Sequence, residues 1–212
     1  MDKVCAAARH QVTRMTPYDL QGLLAALSTA GKVEDPLVHL AADLLRIRGF
    51  EGMGPVHSSA LMASLADLRY PGADLCRSIR PQALASLHSL PVSALANLAW
   101  AYVHMAQRAD ACSLVLAASA KLLDASPGTS LPPAVLAQAC VSCGSLRNAM
   151  RQGAGNDEQA LTNMAEHGER LSGVAVLLSK QLENVEGLHA QLDPVLATRL
   201  KDVMPELLPT RS

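Results

Sequence analysis

The chain has 212 residues, half of them hydrophobic, 2% aromatic and 17% charged, with a net charge of −1. That balance gives no global attraction for nucleic acid or an anionic membrane, and no apolar run reaches the ~18 residues of a membrane-spanning helix. Its apolar side is mostly Ala and Leu, strong helix formers, and the residues that favour strands are scarce, so an all-α fold is expected.

Residues 1–14, MDKVCAAARHQVTR, read as an N-terminal arm. Its basic, amphipathic character fits the remnant of an organellar presequence, or else an ordinary first helix or free arm. A helical repeat domain is expected over residues 15–150. Four segments there share one pattern: PYDLQGLLAALSTAG (17–31), SSALMASLADLRYPG (58–72), VSALANLAWAYVHMA (92–106) and PAVLAQACVSCGSLR (133–147). Superimposing Leu20, Leu61, Leu95 and Leu136 aligns Leu24, Leu65, Ala99 and Cys140 four residues on. Leu27, Leu68, Tyr102 and Cys143 follow at seven. Positions i, i+4 and i+7 form one stripe along a helix. The offsets of 41, 34 and 41 residues fit a degenerate repeat with loop insertions.

A second amphipathic stretch follows each of the first three segments. DPLVHLAADLLRIR (35–48) has Asp35 as a candidate N-cap and Pro36 at the first helical position. ADLCRSIRPQALASLHSL contains Pro81, which is expected to kink or split it. ADACSLVLAASAKLLDAS (109–126) completes the third pair. Stacked helix pairs that bury each other's apolar faces make a short α-solenoid of degenerate helix-turn-helix repeats.

RQGAGN (151–156) reads as a flexible linker, and residues 157–212 as a long C-terminal helical hairpin. Leu161, Met164, Gly168, Leu171, Ala175, Leu178, Leu182, Val185, His189 and Leu192 are spaced by threes and fours, as in a heptad seam. That seam either caps the solenoid or docks on another chain. In the docking case Leu171, Leu178, Leu182 and Val185 are the partner-binding residues.

The pattern of chemistry-bearing residues points away from catalysis. Cys140 and Cys143 have CxxC spacing, but no second pair or nearby His pair accompanies them, and both fall on the shared apolar stripe. There is no HExxH, P-loop or GxSxG pattern. The five cysteines, odd in number and scattered, do not form a disulfide framework. No enzyme activity, cofactor, metal site or small-molecule substrate is expected.

LANLAWAYVHM (95–105) holds the only Trp. Leu95, Ala99 and Tyr102 share one side of the helix, while Asn97, Trp100 and His104 lie opposite, flanked by Gln107 and Arg108. An amide, an aromatic plane, an imidazole and a guanidinium on one stripe can read an unstacked RNA base. The same stripe can equally pack on a neighbouring helix. Matching positions in the other segments are variable and mostly small, so a base-by-base code is not expected. RNA-backbone contacts would then fall to Arg46, Arg48, Arg77 and Arg80.

LANLAWAY and the LxxLLxAL-like segments spaced 34–41 residues apart resemble the helical repeats of FAST-kinase-like and octotricopeptide-repeat proteins, and of the similar heptatricopeptide repeats. The resemblance covers roughly residues 15–147 and is best in the third segment. It implies an α-solenoid of an organelle that binds RNA, mitochondrial first, with plastid or cytoplasmic residence as alternatives. Nothing like the RAP domain of such proteins is evident, and the charge is near neutral. Both departures suggest a small subunit of a large ribonucleoprotein such as an organellar ribosome, touching rRNA and neighbouring proteins. The alternative is a purely protein-binding scaffold or adaptor without RNA contact.

Overall fold

The computed structural model of the chain describes residues 8–33, 36–50, 52–106, 108–124, 131–152, 158–183, 185 and 187–203, with side chains for all of these but 108, 109, 151, 152, 158–165 and 189. The described residues are helical, without a strand. After a 3₁₀ turn at Val12–Arg14 come α1 (Pro17–Thr29), α2 (Pro36–Arg48), α3 (Pro55–Asp67), α4 (Ala73–Ser86) and α5 (Val92–Met105). They are followed by α6 (Arg108–Asp124), α7 (Pro133–Gln152), α8 (Glu158–Glu183), α9 (Leu188–Gln191) and α10 (Pro194–Val203).

Local chemistry sets several of these boundaries. α1 opens with a capping box: Thr16 Oγ1 accepts from the Asp19 amide at 3.2 Å, and Asp19 Oδ2 accepts from the Thr16 amide at 2.8 Å. Pro17 adds a pre-set φ at the first helical position. The Thr16 hydrogen bonds also hold the Asp19 carboxyl below its ordinary pKa. α1 closes on Gly31 at φ +65°, where the Lys32 amide donates back to the Leu27 carbonyl. At the end of α3 the corresponding left-handed residue is Arg69 at φ +55°, and the Tyr70 amide donates to Leu65. Asp35, the expected cap of α2, lies outside the described residues.

α1, α3, α5 and α7 pack each on the next, and α10 lies on α7 while Arg199 reaches Trp100 of α5. α2, α4, α6 and α8 flank the row: α2 lies principally on α1, α6 on α5 and α8 on α7, while α4 packs alike on α3 and α5. The twelve aligned positions of the four segments, from Leu20 to Cys143, are all buried, none more than 3% exposed. The stripe therefore carries the row. One continuous core runs from Val12 through Tyr102 to Leu178 and Leu200.

Three expectations change. Pro81 does not split its helix, for α4 runs unbroken from Ala73 to Ser86. Pro81 and Arg77 are both solvent-exposed, so the i+4 donor that Pro81 lacks is missing on a face of the helix that water reaches. The first two residues of the expected linker at 151–156 are helical, for α7 extends through Gln152; the rest of it lies outside the described residues. The C-terminal helices are not a hairpin closed on itself: α8 and α10 both lie principally on α7.

The seat of α10 depends on a small residue. A Cβ on Gly144 of α7 would lie 2.8 Å from Val203 Cβ, closer than real atoms approach. Gly144→Ala is therefore expected to lower the melting temperature by pushing α10 outward, an overpacking cost of about 1–3 kcal/mol against a helix-propensity gain of about 1 kcal/mol. A rise in melting temperature, the usual result at an open helical site, would mean that α10 is not held there.

Candidate functional site

α5 is the hub of the row, with Ala94–Ala96, Leu98–Tyr102 and Met105 all buried. Its first face carries Leu95, Ala99 and Tyr102. The Tyr102 hydroxyl donates to the Cys76 carbonyl at 2.7 Å, and burial above all raises its pKa.

The opposite face holds the lone Trp, only 4% exposed. Trp100 Nε1 donates to Asp67 Oδ1 at 2.9 Å, at the end of α3. The other oxygen of Asp67 accepts from Ser28 Oγ of α1 at 3.4 Å, so one carboxylate links three successive helices of the row. The indole ring meets the His104 imidazole at 4.1 Å between centroids, and the Arg199 guanidinium of α10 lies 4.5 Å from the ring centroid, in cation–π range. His104 Nδ1 contacts the Trp100 carbonyl at 2.9 Å. Asn97 Oδ1 accepts from Gln138 Nε2 of α7 at 3.5 Å, joining residues at equivalent positions of two segments.

The group fixes the direction of a pH effect. His104 presents an edge to solvent while its ring lies on Trp100. Desolvation there lowers its pKa, helped by Arg199 and opposed by the Trp100 carbonyl and Asp67. A histidine depressed below its ordinary 6.5 binds more protons unfolded than folded across that window. Its contribution is whole above 6.5 and declines as pH falls. Urea titrations from pH 7.5 downward should show a shallower loss for His104→Gln than for the native chain; equal slopes would remove His104 as the cause.

The other residues singled out for RNA are engaged within the chain. Arg46 pairs with Asp43 at 3.4 Å, and Arg77 with Asp74, each one turn away on its own helix. Arg48 donates to the Met15 carbonyl at 2.8 Å and to the Thr13 carbonyl, pinning the chain before α1. Arg80 bridges to α6 through Asp110 at 3.2 Å and Ser113 at 3.1 Å. These four arginines stand on the flanking helices α2 and α4, while Trp100 stands on the row, so they do not converge on it. Gln107 and the Arg108 side chain lie outside the described residues.

The seam residues are likewise used internally. Leu171, Leu178 and Leu182 are fully buried, and Val185 is packed against the same core. Their assignment as exposed partner contacts is corrected: α8 spends this stripe on α7 and α6. Cys140 and Cys143 are also fully buried. Burial raises both thiol pKa values, that of Cys143 to about 11, while Ser119 Oγ lies 3.3 Å from Cys143 Sγ. Among the described residues, no group of three or more His, Cys, Asp or Glu could hold a metal ion.

Asp67, Ser28 and Arg199 are the site residues that sequence spacing does not reveal. The described residues are all helical, and the lone Trp is buried among the chain's own side chains. Neither family models, characterised proteins nor solved structures match the chain.

Proposed function

We propose that the chain is a non-catalytic, protein-binding helical scaffold, its helix pairs forming a short α-solenoid within a larger assembly. The observation that carries this reading is the engagement of Trp100. Its N–H is paired with Asp67, its ring contacts His104 and Arg199, and 4% of its surface meets solvent. A base-stacking platform needs an open aromatic face; this one supports the assembly of the row.

A second reading keeps RNA contact and an organellar, first of all mitochondrial, ribonucleoprotein, as the resemblance to organellar repeat proteins implies. Arg46 and Arg77 favour it, because their exposed ion pairs one turn apart contribute little and a phosphate can replace the aspartate. RNA would then be held through its backbone from the flanking helices, beside protein neighbours such as those of a ribosome.

Trp100 is the only Trp, so its emission tests base stacking, while salt-dependent RNA affinity separates the two readings. Titration with single-stranded RNA at low salt is expected to leave Trp100 emission unchanged, and association with partner proteins in extract to survive ribonuclease. Tight, salt-dependent RNA binding, lost when Arg77 and Arg80 are changed to Ala, would overturn the scaffold reading.

A further inference from the structure

α10 has two seats of different kinds. Along α7 it is held by packing, through the fully buried Leu200 and through Val203 on Gly144. On α5 it is held by a charge, the Arg199 guanidinium 4.5 Å from the centroid of the Trp100 ring. The helix begins on its own cap, where Asp193 Oδ1 accepts from the Val195 amide at 2.8 Å, and it is 10 residues long. A helix that short is marginal in water by itself, so α10 depends on its seat.

The same indole carries a second basic group. His104 follows Trp100 by one turn of α5, with ring centroids 4.1 Å apart. An edge of His104 meets solvent, so a proton can reach it. The charged groups that act on it are Asp67 at the end of α3 and Arg199 of α10. α4 and α6 bring Arg80 and Asp110 to Tyr102, on the other face of α5. α7 presents the neutral Gln138 to Asn97, and its Arg147 acts on Cys143 within the core. While His104 is neutral, Arg199 and Asp67 balance. Protonation sets two cations against one carboxylate around a single ring, and the cations repel.

We infer that α10 is an acid-released latch: protonation of His104 places a second cation on the Trp100 ring and drives Arg199, with α10, off α5. Tethering decides which cation leaves. His104 and Trp100 share a helix that packs on α3, α6 and α7, so neither can withdraw from the other. Arg199 stands on an end helix whose principal support is α7. Its departure uncovers the face of α7 at Gly144 and one side of the indole. Burial above all, and then Arg199, hold His104 below its ordinary 6.5 in the latched chain. Release lifts the repulsion from Arg199, so proton uptake and release favour each other as pH falls through that window. The inference is independent of whether the chain binds protein or RNA.

Hydrogen exchange of the full chain, followed by mass spectrometry and corrected for intrinsic rates at each pH, reads the latch. Amides of α10 are expected to exchange before those of α5. Between about pH 7.5 and 5.5 their protection should fall by up to about tenfold, the most that one histidine returning to 6.5 supplies. His104→Gln should hold α10 protection steady over the same interval. Arg199→Met keeps an apolar stem and removes the charge. It should raise the His104 pKa, read from the imidazole proton resonances, and make α10 protection less sensitive to pH than in the native chain.

Exchange of α10 in step with α5 would mean global opening and overturn the inference. The same acid loss in the His104→Gln chain would assign the effect to another group, with the same consequence. A His104 pKa indifferent to Arg199→Met would sever the two cations and end the latch.

Discussion

Trp100→Ala is expected to cost about 3–5 kcal/mol, the range for truncating a buried aromatic side chain. The substitution empties a site that is 4% exposed and removes the Nε1 donor from Asp67. A domain's whole stability is about 5–15 kcal/mol, so the loss is a large share of it. Urea titration followed by helical circular dichroism measures it. Asp67→Ala should cost less, on the order of 1–3 kcal/mol, because the indole stays in place while its N–H loses a charged acceptor. An aromatic kept free for a ligand would behave otherwise: its removal would cost under about 1 kcal/mol, as surface substitutions do. That result would reopen the base-stacking reading of Asn97, Trp100 and His104.

Leu178→Ala is the second large effect, at about 2–5 kcal/mol. Leu178 is fully buried and belongs to the core that α8 shares with α7. Its neighbour Leu177 is 51% exposed, so Leu177→Ala should cost well under about 1 kcal/mol. The adjacent pair separates a buried from an exposed position on one helix. A Leu178→Ala chain as stable as the native one would return the seam to service as a partner surface.

The apolar stripe of the row was legible because its rule is local. Leu20, Leu24 and Leu27 obey the same spacing as Leu136, Cys140 and Cys143, and all six are buried. The two faces of α5 were legible for the same reason. What the second face meets was not, since Asp67 lies 33 residues before Trp100 and Arg199 almost a hundred after it. No periodicity relates residues so separated; only the packing of α3 and α10 against the row joins them. Arg46 and Arg77 looked available for phosphate because sequence shows a charge before it shows a partner. Asp43 and Asp74 stand three residues earlier in each case, a spacing that was readable and points to pairing within the helix. Pro81 failed as a helix breaker because burial, which decides whether a lost hydrogen bond matters, is a tertiary property.

The two ends of the row are closed differently. α10 covers α7 at one end, seated through Val203 on Gly144 and through Arg199 on Trp100. At the other end, α1 and α2 rejoin the rest of the molecule principally where α1 lies on α3. A packed chain opens first where it is least tethered. Amide hydrogens of α1 and α2 should therefore exchange with deuterium before those of α5, and a protease should enter there first. The chain then has a polarity in its fluctuations: an N-terminal pair that breathes, and an aromatic hub at Trp100 that lets go last.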